Sequence, residues 1–288
     1  MFLIPAEKFS LWKKKQILKG GDNLSLNLLI DSVGGLSDIE LNLFKINPEK
    51  NLNLKVNLDL IESFWDKHLN TSIPIQYLSG ISFWRDLKLE VTNRVLIPRP
   101  ETEIIIEIIS GIYSNKEKIT FVDLGTGSGA ISIALALANP NWNGIATDID
   151  KNAIEIASRN FANNSNQSNL RFYSGNWWDP LANYKGEIDL AVANPPYIPQ
   201  DIYEVLPKEV KNFEPKNALL GGKEGLDHIK EIVQHAPIYL KNKGWLVIEN
   251  HFDQGDRVKQ LFLENRFTSV KVLKDFSGIG RFTIGRYK

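Results

Sequence analysis

From residue 119 to the C-terminus, strand-like apolar runs alternate with runs whose apolar residues recur at helical spacing. The strand-like runs are ITFVDL, GIATDI, LRFYS, IDLAVANPP, WLVIEN, VKVLKD and RFTIGRY, and the helical runs are GAISIALALA, AIEIASRNFA and LDHIKEIVQHAPIYL. This alternation is typical of a parallel sheet that is covered by helices on both faces. It predicts an α/β fold for residues 99–288, a length that one hydrophobic core can serve.

Two shorter segments with different patterns precede this region. Residues 1–75 carry apolar positions at helical spacing, interrupted by glycine pairs, and they predict a small bundle of short helices. Residues 76–98 are rich in β-branched and aromatic residues around a turn near Arg85-Asp86, and they predict a two-stranded connector. The sequence therefore predicts a helical domain, a connector and a larger α/β domain.

Composition narrows the functional classes. The chain has no cysteine, which excludes disulfides, thiolate catalysis and zinc-thiolate sites, and no histidine and carboxylate pair has metal-ligand spacing. Thirty-four basic and 34 acidic residues leave no net charge, which argues against stable nucleic-acid binding. No apolar run approaches the roughly 18 residues of a membrane span, and no secretory signal pattern opens the chain. We therefore expect a cytoplasmic protein that binds neither a metal nor a membrane.

A glycine-rich loop follows the first strand of the larger domain. It reads Gly125-Thr126-Gly127-Ser128-Gly129 and leads directly into a helical run. Glycines let the backbone turn tightly and let a ligand approach it, while the helix N-terminus offers N–H donors. Asp148 ends the next strand, where its carboxylate can accept hydrogen bonds from both hydroxyls of a ribose. These residues predict an S-adenosylmethionine site, an NAD site or a structural turn, because they also satisfy the dinucleotide fingerprint.

A second motif, Asn194-Pro195-Pro196-Tyr197, follows the apolar run IDLAVA and so lies at the carboxyl edge of the sheet. An amide nitrogen is a poor nucleophile because its lone pair is delocalised, so a site that methylates it must hold its N–H groups on acceptors. Asn194 Oδ1 and the Pro195 carbonyl can accept them, the two prolines fix the backbone, and Tyr197 offers a flat stacking face. We assign these four residues to the acceptor site of an N-methyltransferase.

The chain resembles the release-factor glutamine methyltransferase family, PrmC/HemK, over nearly its whole length. The motifs that carry the resemblance are Gln76-Tyr77, IPRPETE at 97–103, DLGTGSG at 123–129, ANPPYI at 193–198, EPKNALLGGKEGLDHI at 214–229 and DFSGIGRFTIGR at 275–286. IPRPETE together with NPPY is the most specific, because nucleic-acid amino-methyltransferases share NPPY and lack IPRPETE.

The resemblance implies a class I, Rossmann-like S-adenosylmethionine-dependent methyltransferase domain that follows a small N-terminal helical bundle and a β-hairpin connector. The cofactor, S-adenosyl-L-methionine, would contact the loop from Gly125 to Gly129, Asp148 and Asn194, with Trp177 against the adenine. Trp178 directly follows Trp177, so core packing is an alternative role for this bulky pair.

The resemblance also implies the reaction and the partner. The enzyme would methylate the side-chain amide of the glutamine in the Gly-Gly-Gln motif of peptide chain release factors, with residues 1–75 recognising the factor. The alternatives are a glutamine of a ribosomal protein, an adenine or guanine amino group of a nucleic acid, and a non-catalytic binding module.

Two further segments have open interpretations. Pro98 and Pro100 stiffen the start of a helix whose first turn carries Glu101 and Glu103, which favours either helix capping or a segment that closes over a sulfonium. His251 stands where the family tends to carry a glycine, so we expect the local loop geometry to differ there.

Overall fold

The computed structural model describes residues 1–113 and 118–288, and this part of the chain divides into two compact units. The N-terminal unit comprises Met1–Ser82 together with Lys208–Phe213. The larger unit comprises Phe83–Pro207 and Glu214–Lys288. The division falls inside the predicted connector, and one helix from the second half of the sequence groups with the N-terminal unit.

The N-terminal unit consists of short helices and one short pair of strands. Its elements are β1 Phe2–Ile4, α1 Ala6–Lys19, α2 Asn23–Ser32, α3 Asp38–Ile46, β2 Leu52–Leu54, α4 Leu58–Thr71 and α5 Ile75–Ser79. The predicted helical bundle is therefore present, with Phe9 and Trp65 fully buried in its core. The antiparallel pairing of β1 with β2 was not predicted, because three-residue strands are too short to show an alternating pattern.

Side-chain caps explain where three of these helices begin. The Asp22 carboxylate accepts from Ser25 N ahead of α2, and the Asn57 side chain accepts from Leu60 N ahead of α4. Ahead of α3, Ser37 forms a reciprocal capping box with Glu40. Each cap satisfies a backbone N–H group that the helix itself leaves without a partner.

The connector contains the predicted hairpin. Strands β3 Ile81–Trp84 and β4 Leu87–Glu90 form a two-stranded sheet, and the turn falls at Arg85-Asp86 as predicted. The prediction was wrong for Gln76–Ser79, which belong to α5. That helix ends at Gly80, whose left-handed φ of 72° closes the last turn and directs the chain into β3.

The larger unit alternates strands and helices. After the 3-10 turn Pro100–Glu103 its elements are α6 Ile104–Ile112, β5 Thr120–Leu124, α7 Ala130–Ala138, β6 Asn143–Asp148, α8 Lys151–Asn164, β7 Leu170–Ser174, β8 Ile188–Ala193, α9 Gln200–Glu204, α11 Asp227–Tyr239, β9 Leu240–Glu249, α12 Gly255–Glu264, β10 Phe267–Lys274 and β11 Gly280–Tyr287, while α10 is Lys208–Phe213 of the N-terminal unit. In the described part of the chain, no helix is long and apolar enough to cross a membrane.

In residues 1–113 and 118–288, the largest sheet has seven strands in the order β10-β11-β9-β8-β5-β6-β7. The predicted α/β fold is confirmed, and the pairs β9-β8, β8-β5, β5-β6 and β6-β7 are parallel. The prediction of a parallel sheet was wrong for β10 and β11, which pair antiparallel. The turn that joins them is too short for a crossover helix, so only antiparallel pairing is open to them.

The central strands β5 and β8 are buried on both faces of the sheet. Phe121 and Leu190 belong to one hydrophobic cluster, and the next residue of each strand, Val122 and Ala191, belongs to another. The chain runs from β5 outward to β7 and then returns to β8 on the other side of β5. The strand order therefore reverses between β5 and β8, and open α/β sheets bind ligands at the carboxyl ends of such strands.

Candidate active site

A cavity of about 260 Å³ opens where β5, β6 and β8 end, and all of its lining residues belong to the larger unit. Of the site residues predicted from the sequence, those that line it are Gly125, Thr126, Gly127, Ser128, Asp148, Trp177, Asn194 and Pro196. Gly129, Pro195 and Tyr197 lie outside this lining. The fold thus brings the glycine loop, the strand-end carboxylate and the first residue of NPPY to one cavity.

The three glycines of the loop adopt left-handed φ angles of 75°, 56° and 87° at Gly125, Gly127 and Gly129. A Cβ atom on Gly125 would lie 2.8 Å from the Trp177 ring, and one on Gly129 would lie 2.8 Å from Ile133 Cδ1. A Cβ atom on Gly127 would have nothing within 4 Å. Two glycines are therefore required by packing, whereas Gly127 borders the open space of the cavity.

Asp148 ends β6 and ties the loop to the sheet. Its Oδ2 accepts from Gly127 N at 2.9 Å, and its Oδ1 accepts from Asp150 N at 2.9 Å. Burial raises the pKa of the Asp148 carboxyl, and the hydrogen bonds from Asp150 and Gly127 act in the opposite direction. A carboxylate has about four acceptor positions, so Asp148 retains capacity for two hydroxyl groups in the cavity.

Asp123, which the sequence analysis did not assign to the site, accepts hydrogen bonds from the glycine loop and from the first turn of α7. Its Oδ2 accepts from Thr126 Oγ1 at 2.6 Å and from Ser132 N at 3.2 Å. Its Oδ1 is buried with no hydrogen-bond partner in the described chain, and burial raises the pKa of this carboxyl to about 6. The signals in the sequence are an acidic residue inside the mostly apolar strand β5 and its place at the start of the DLGTGSG motif.

Trp177 and Trp178 take different places. Trp177 lines the cavity with a φ of 39°, a left-handed value that bulky residues rarely adopt, and its carbonyl accepts from Thr147 Oγ1. Trp178 stacks on Tyr239 at 4.9 Å between ring centroids and donates to the Ile232 carbonyl. Core packing therefore accounts for Trp178, whereas Trp177, which is also largely buried and whose ring lies 5.6 Å from the His228 ring, lines the cavity.

Asn194 is the first residue of a buried chain of hydrogen bonds. Its Nδ2 donates to Thr102 Oγ1 at 3.1 Å, and Thr102 Oγ1 donates to Glu249 Oε2 at 2.8 Å. Tyr197 donates its hydroxyl to Glu249 Oε1 at 2.9 Å. Three segments that are far apart in the sequence, IPRPETE, NPPY and the end of β9, therefore meet beside the cavity.

Burial shifts the pKa values of Glu249 and Tyr197, the two titratable groups of these hydrogen bonds. Burial raises the pKa of Glu249 to about 7, although the hydrogen bonds from Thr102 and Tyr197 and the charge of Arg281 lower it. Burial and then the Glu249 charge raise the pKa of Tyr197 well above its ordinary value, so this phenol stays a donor. Sequence reasoning missed both Thr102 and Glu249, although Glu249 is visible as an acid at the end of the apolar run WLVIE.

The loop that contains His251 supports NPPY from behind. Gln254 Nε2 donates to the Tyr197 carbonyl at 3.0 Å, and His251 N donates to Gln254 Oε1 at 3.0 Å. The His251 ring lies 4.4 Å from the Phe252 ring, and its Nδ1 lies 2.6 Å from Asp253 Oδ1. His251 therefore contributes its backbone to the support of Tyr197, and its ring lies 6.3 Å from the Tyr197 ring as well as beside neighbours in its own loop.

The IPRPETE segment forms one wall of the cavity through Pro98, Arg99 and Thr102. Arg99 Nη2 forms an ion pair at 2.6 Å with the buried Glu214, and the Arg99 carbonyl accepts from Trp84 Nε1 at 2.8 Å. No side chain caps the 3-10 turn Pro100–Glu103 or the helix that follows it. Pro100 nevertheless stands at the start of the turn, with the acidic Glu101 and Glu103 in its first turn, so the helix-start interpretation stays open beside the role as a wall of the cavity.

The donor set of the cavity fits a nucleoside that carries a polar tail. Asp148 offers acceptors for a ribose diol, and Trp177 offers a flat indole for a base. The space over Gly127 admits a ligand against the backbone, close to the first turn of α7. Asn194 and Pro196 line the same cavity, so a second, amide-bearing molecule can reach whatever the nucleoside presents.

Known proteins resemble this chain in sequence and in fold. Residues 102–207 match the model of the methyltransferase small domain. A protein named release factor glutamine methyltransferase from Prochlorococcus marinus is 38% identical over 279 residues, which cover 96% of this chain and 95% of the relative. A protein of the same name from Bacillus subtilis is 37% identical over 214 residues, 73% of this chain and 74% of the relative.

A solved structure of the hMettl16 catalytic domain in complex with MAT2A 3'UTR hairpin 6 is 16% identical, with a TM-score of 0.56 over 70% of this chain and 75% of that one. This likeness shows the fold of the larger unit. The sequence identity to the relative from Prochlorococcus marinus extends over nearly the whole chain, including the N-terminal unit. The chain is a methyltransferase and belongs to the release factor glutamine methyltransferase family.

Proposed function

We propose that this protein transfers a methyl group from S-adenosylmethionine to the side-chain amide of the glutamine in the Gly-Gly-Gln motif of a peptide chain release factor. The observation that carries the proposal is that Asn194 lines the same cavity as the glycine loop and Asp148. An acceptor amide held by Asn194 would therefore lie next to the methyl donor, and such positioning supplies much of the rate of a two-substrate reaction.

On the donor side, Asp148 would accept the ribose hydroxyls, and Trp177 would lie against the adenine. S-adenosylmethionine, when bound, supplies a methyl group on a positively charged sulfur. Gly127 keeps the space over the loop open, and the N–H groups at the start of α7 would be donors for the polar tail of the cofactor.

On the acceptor side, Asn194 Oδ1 and the Pro195 carbonyl accept the two N–H groups of the glutamine amide. These acceptors orient the nitrogen and stabilise the positive charge that develops on it as the methyl arrives. Pro195 and Pro196 keep the backbone rigid, so the acceptors need no ordering when the substrate binds. The Tyr197 ring is held in place by its hydroxyl on Glu249.

The partner is recognised away from the cavity. A tripeptide with two glycines offers little surface, so discrimination among cellular glutamines requires contacts elsewhere. Helix α3 carries Ile39, Leu43 and Ile46 along one side, with 73%, 58% and 81% of each residue exposed, while Leu41 faces the core. An exposed apolar stripe of this kind suits a protein partner. We assign this α3 stripe to the body of the release factor.

The direct test is to incubate the full chain with labelled S-adenosylmethionine and separate samples of release factors, ribosomal proteins and RNA. We expect label on a release factor, with the mass of one methyl group on the glutamine of Gly-Gly-Gln. Label that appears instead on a ribosomal protein or on RNA would contradict the proposed acceptor.

Replacing Asn194 by alanine separates binding from catalysis. Loss of one positioned transition-state hydrogen bond lowers the rate by roughly 100- to 1,000-fold, so we expect turnover to fall in that range. Calorimetry should show cofactor affinity within a few fold of wild type. If Asn194→Ala keeps more than about a tenth of wild-type turnover, its amide does not hold the acceptor in the transition state.

A further inference from the structure

Thr102 is both a donor and an acceptor in the buried chain beside the cavity. An ionised carboxylate can only accept, so the single hydroxyl proton of Thr102 points to Glu249 Oε2. The oxygen of Thr102 is then left with lone pairs alone for its other neighbour. That neighbour is the Asn194 amide at 3.1 Å, which must present Nδ2 and not Oδ1 to Thr102.

The two ends of an asparagine amide have nearly the same shape, so packing alone does not decide which end faces which way. Only hydrogen-bond partners distinguish them. We propose that Thr102 and Glu249 are positioning residues that fix the Asn194 amide with Nδ2 turned to Thr102 and Oδ1 turned to the acceptor. This inference rests on the proposed function, in which the acceptor presents N–H groups to Asn194.

Protonation of Glu249 removes the constraint on the orientation of the Asn194 amide. A neutral carboxyl can donate to Thr102, and the Thr102 proton is then free to point toward Asn194. The amide can rotate and present Nδ2 to the cavity, where it would meet the N–H groups of the substrate as donor against donor. The ionised form of Glu249 is therefore the form that orients Asn194 for the reaction.

The charge of Glu249 changes near neutrality because of its surroundings. Burial raises its pKa to about 7, and Glu101 adds to this, while Thr102, Tyr197 and Arg281 lower it. Tyr197 does not change charge in this range, because its own raised pKa keeps the phenol protonated through neutrality. Glu249 is thus the group in this chain of hydrogen bonds whose ionisation can orient the amide.

The first test needs no acceptor substrate. In the full chain labelled with 15N at asparagine, the Asn194 side-chain amide is identified by its loss in Asn194→Ala. We expect its resonances to shift with pH in wild type with a midpoint near 7, and to lose this shift in Glu249→Gln and in Thr102→Val. Asn194 resonances that do not change through neutrality in the wild-type protein would overturn the proposal.

The second test uses a matched pair of variants at one position. Thr102→Val removes the hydroxyl at nearly constant shape, and Thr102→Ser retains it. We expect kcat to fall by about 10- to 100-fold in Thr102→Val with cofactor affinity within a few fold, and Thr102→Ser to keep most of the activity. Equal turnover in the two variants would show that the hydroxyl does not position Asn194.

The two tests separate the inference from the proposed function. If the wild-type protein methylates no release factor, the proposed function fails, and the resonance experiment still decides whether Glu249 orients the amide. If methylation occurs but the Asn194 resonances do not change with the ionisation of Glu249, the proposed function stands. The positioning role of Thr102 and Glu249 is then wrong.

Discussion

Gly127 and Gly129 share a left-handed backbone and need it for different reasons. Both φ angles lie in the region that favours glycine, at 56° and 87°. A side chain on Gly129 would collide with Ile133 and Ala157 inside the fold, whereas one on Gly127 would enter open space. One glycine therefore serves packing, and the other keeps the cavity clear for a ligand.

Alanine at Gly127 should mainly weaken cofactor binding, and alanine at Gly129 should mainly weaken folding. Gly127→Ala adds only backbone strain, which costs about 1–2 kcal/mol of unfolding free energy, but its methyl group occupies the space over the loop. We expect calorimetry to show cofactor affinity at least about tenfold weaker. Gly129→Ala adds the clash and should lose about 1–3 kcal/mol more in denaturant unfolding. Full cofactor affinity in Gly127→Ala would mean that no ligand lies against the loop.

Asp148 and Asp150 form a second matched pair, since both line the cavity and only Asp148 ends a strand. Asp148→Asn removes the charge that strengthens hydrogen bonds from ribose hydroxyls. We expect S-adenosylmethionine to bind about 10- to 100-fold more weakly by calorimetry, since each such bond contributes roughly 1.5–3 kcal/mol before water replaces it. Asp150→Asn keeps the helix cap on Asn152 and should bind within a few fold of wild type. The reverse result would make Asp150 the ribose ligand.

At the scale of elements, the sequence predicts which residues lie at the carboxyl ends of the parallel strands. Apolar runs mark buried strands, and parallel strands bring their carboxyl ends to one edge, so Asp148 after β6 and Asn194 after β8 could be expected to lie near one another. Contacts that join distant segments leave no such pattern. Thr102 and Glu249 are 147 positions apart, and only the assembled sheet brings them together.

Local backbone geometry also could not be predicted from the sequence. The pair Trp177-Trp178 shows two interchangeable indoles, and the positive φ of Trp177 decides which one lines the cavity. Similarly, α5 is too short to be distinguished from a strand by periodicity, and its helical form follows from Pro74 before it and Gly80 after it. The prediction was wrong for the short element α5, and the different places of Trp177 and Trp178 follow from backbone geometry that the sequence pattern does not show.

The exposed side of α3 predicts an effect on partner recognition alone. Replacing Ile39 and Leu43 by serine removes apolar surface that is already exposed, so stability should change little. We expect a raised KM for an intact release factor by about tenfold, with unchanged methylation of a short Gly-Gly-Gln peptide. Leu24→Ser on α2 is the matched control, since 79% of Leu24 is exposed. If the control weakens recognition equally, the partner does not contact α3 specifically.

At the scale of the whole molecule, buried carboxyl groups link stability to pH. Burial raises the pKa of Asp123 to about 6 and that of Glu249 to about 7, from ordinary values of 3.8 and 4.5. The folded state therefore holds these protons more tightly than the unfolded chain does. Their contribution is fully present below the ordinary values and is lost as pH rises through the raised ones.

Glu249→Gln tests this linkage. A pKa unit corresponds to about 1.4 kcal/mol, so the Glu249 shift amounts to about 3 kcal/mol. We expect the unfolding free energy of wild type to decrease between about pH 4.5 and 7, and that of Glu249→Gln to decrease by about 3 kcal/mol less over this interval. Carboxyl groups with a lowered pKa, such as Glu62 at about 2, titrate below this interval. Identical pH profiles would show that Glu249 is ionised at its ordinary pKa.

The helix Lys208–Phe213 has a consequence for protein engineering. The described chain completes the N-terminal unit with a segment that lies between two parts of the larger unit in sequence. A chimera that exchanges only the first 82 residues with a relative would join a foreign bundle to a native helix. Domain exchange between relatives must therefore transplant both segments. Deletion of Met1–Ser82 alone would leave the helix Lys208–Phe213 without the rest of its unit.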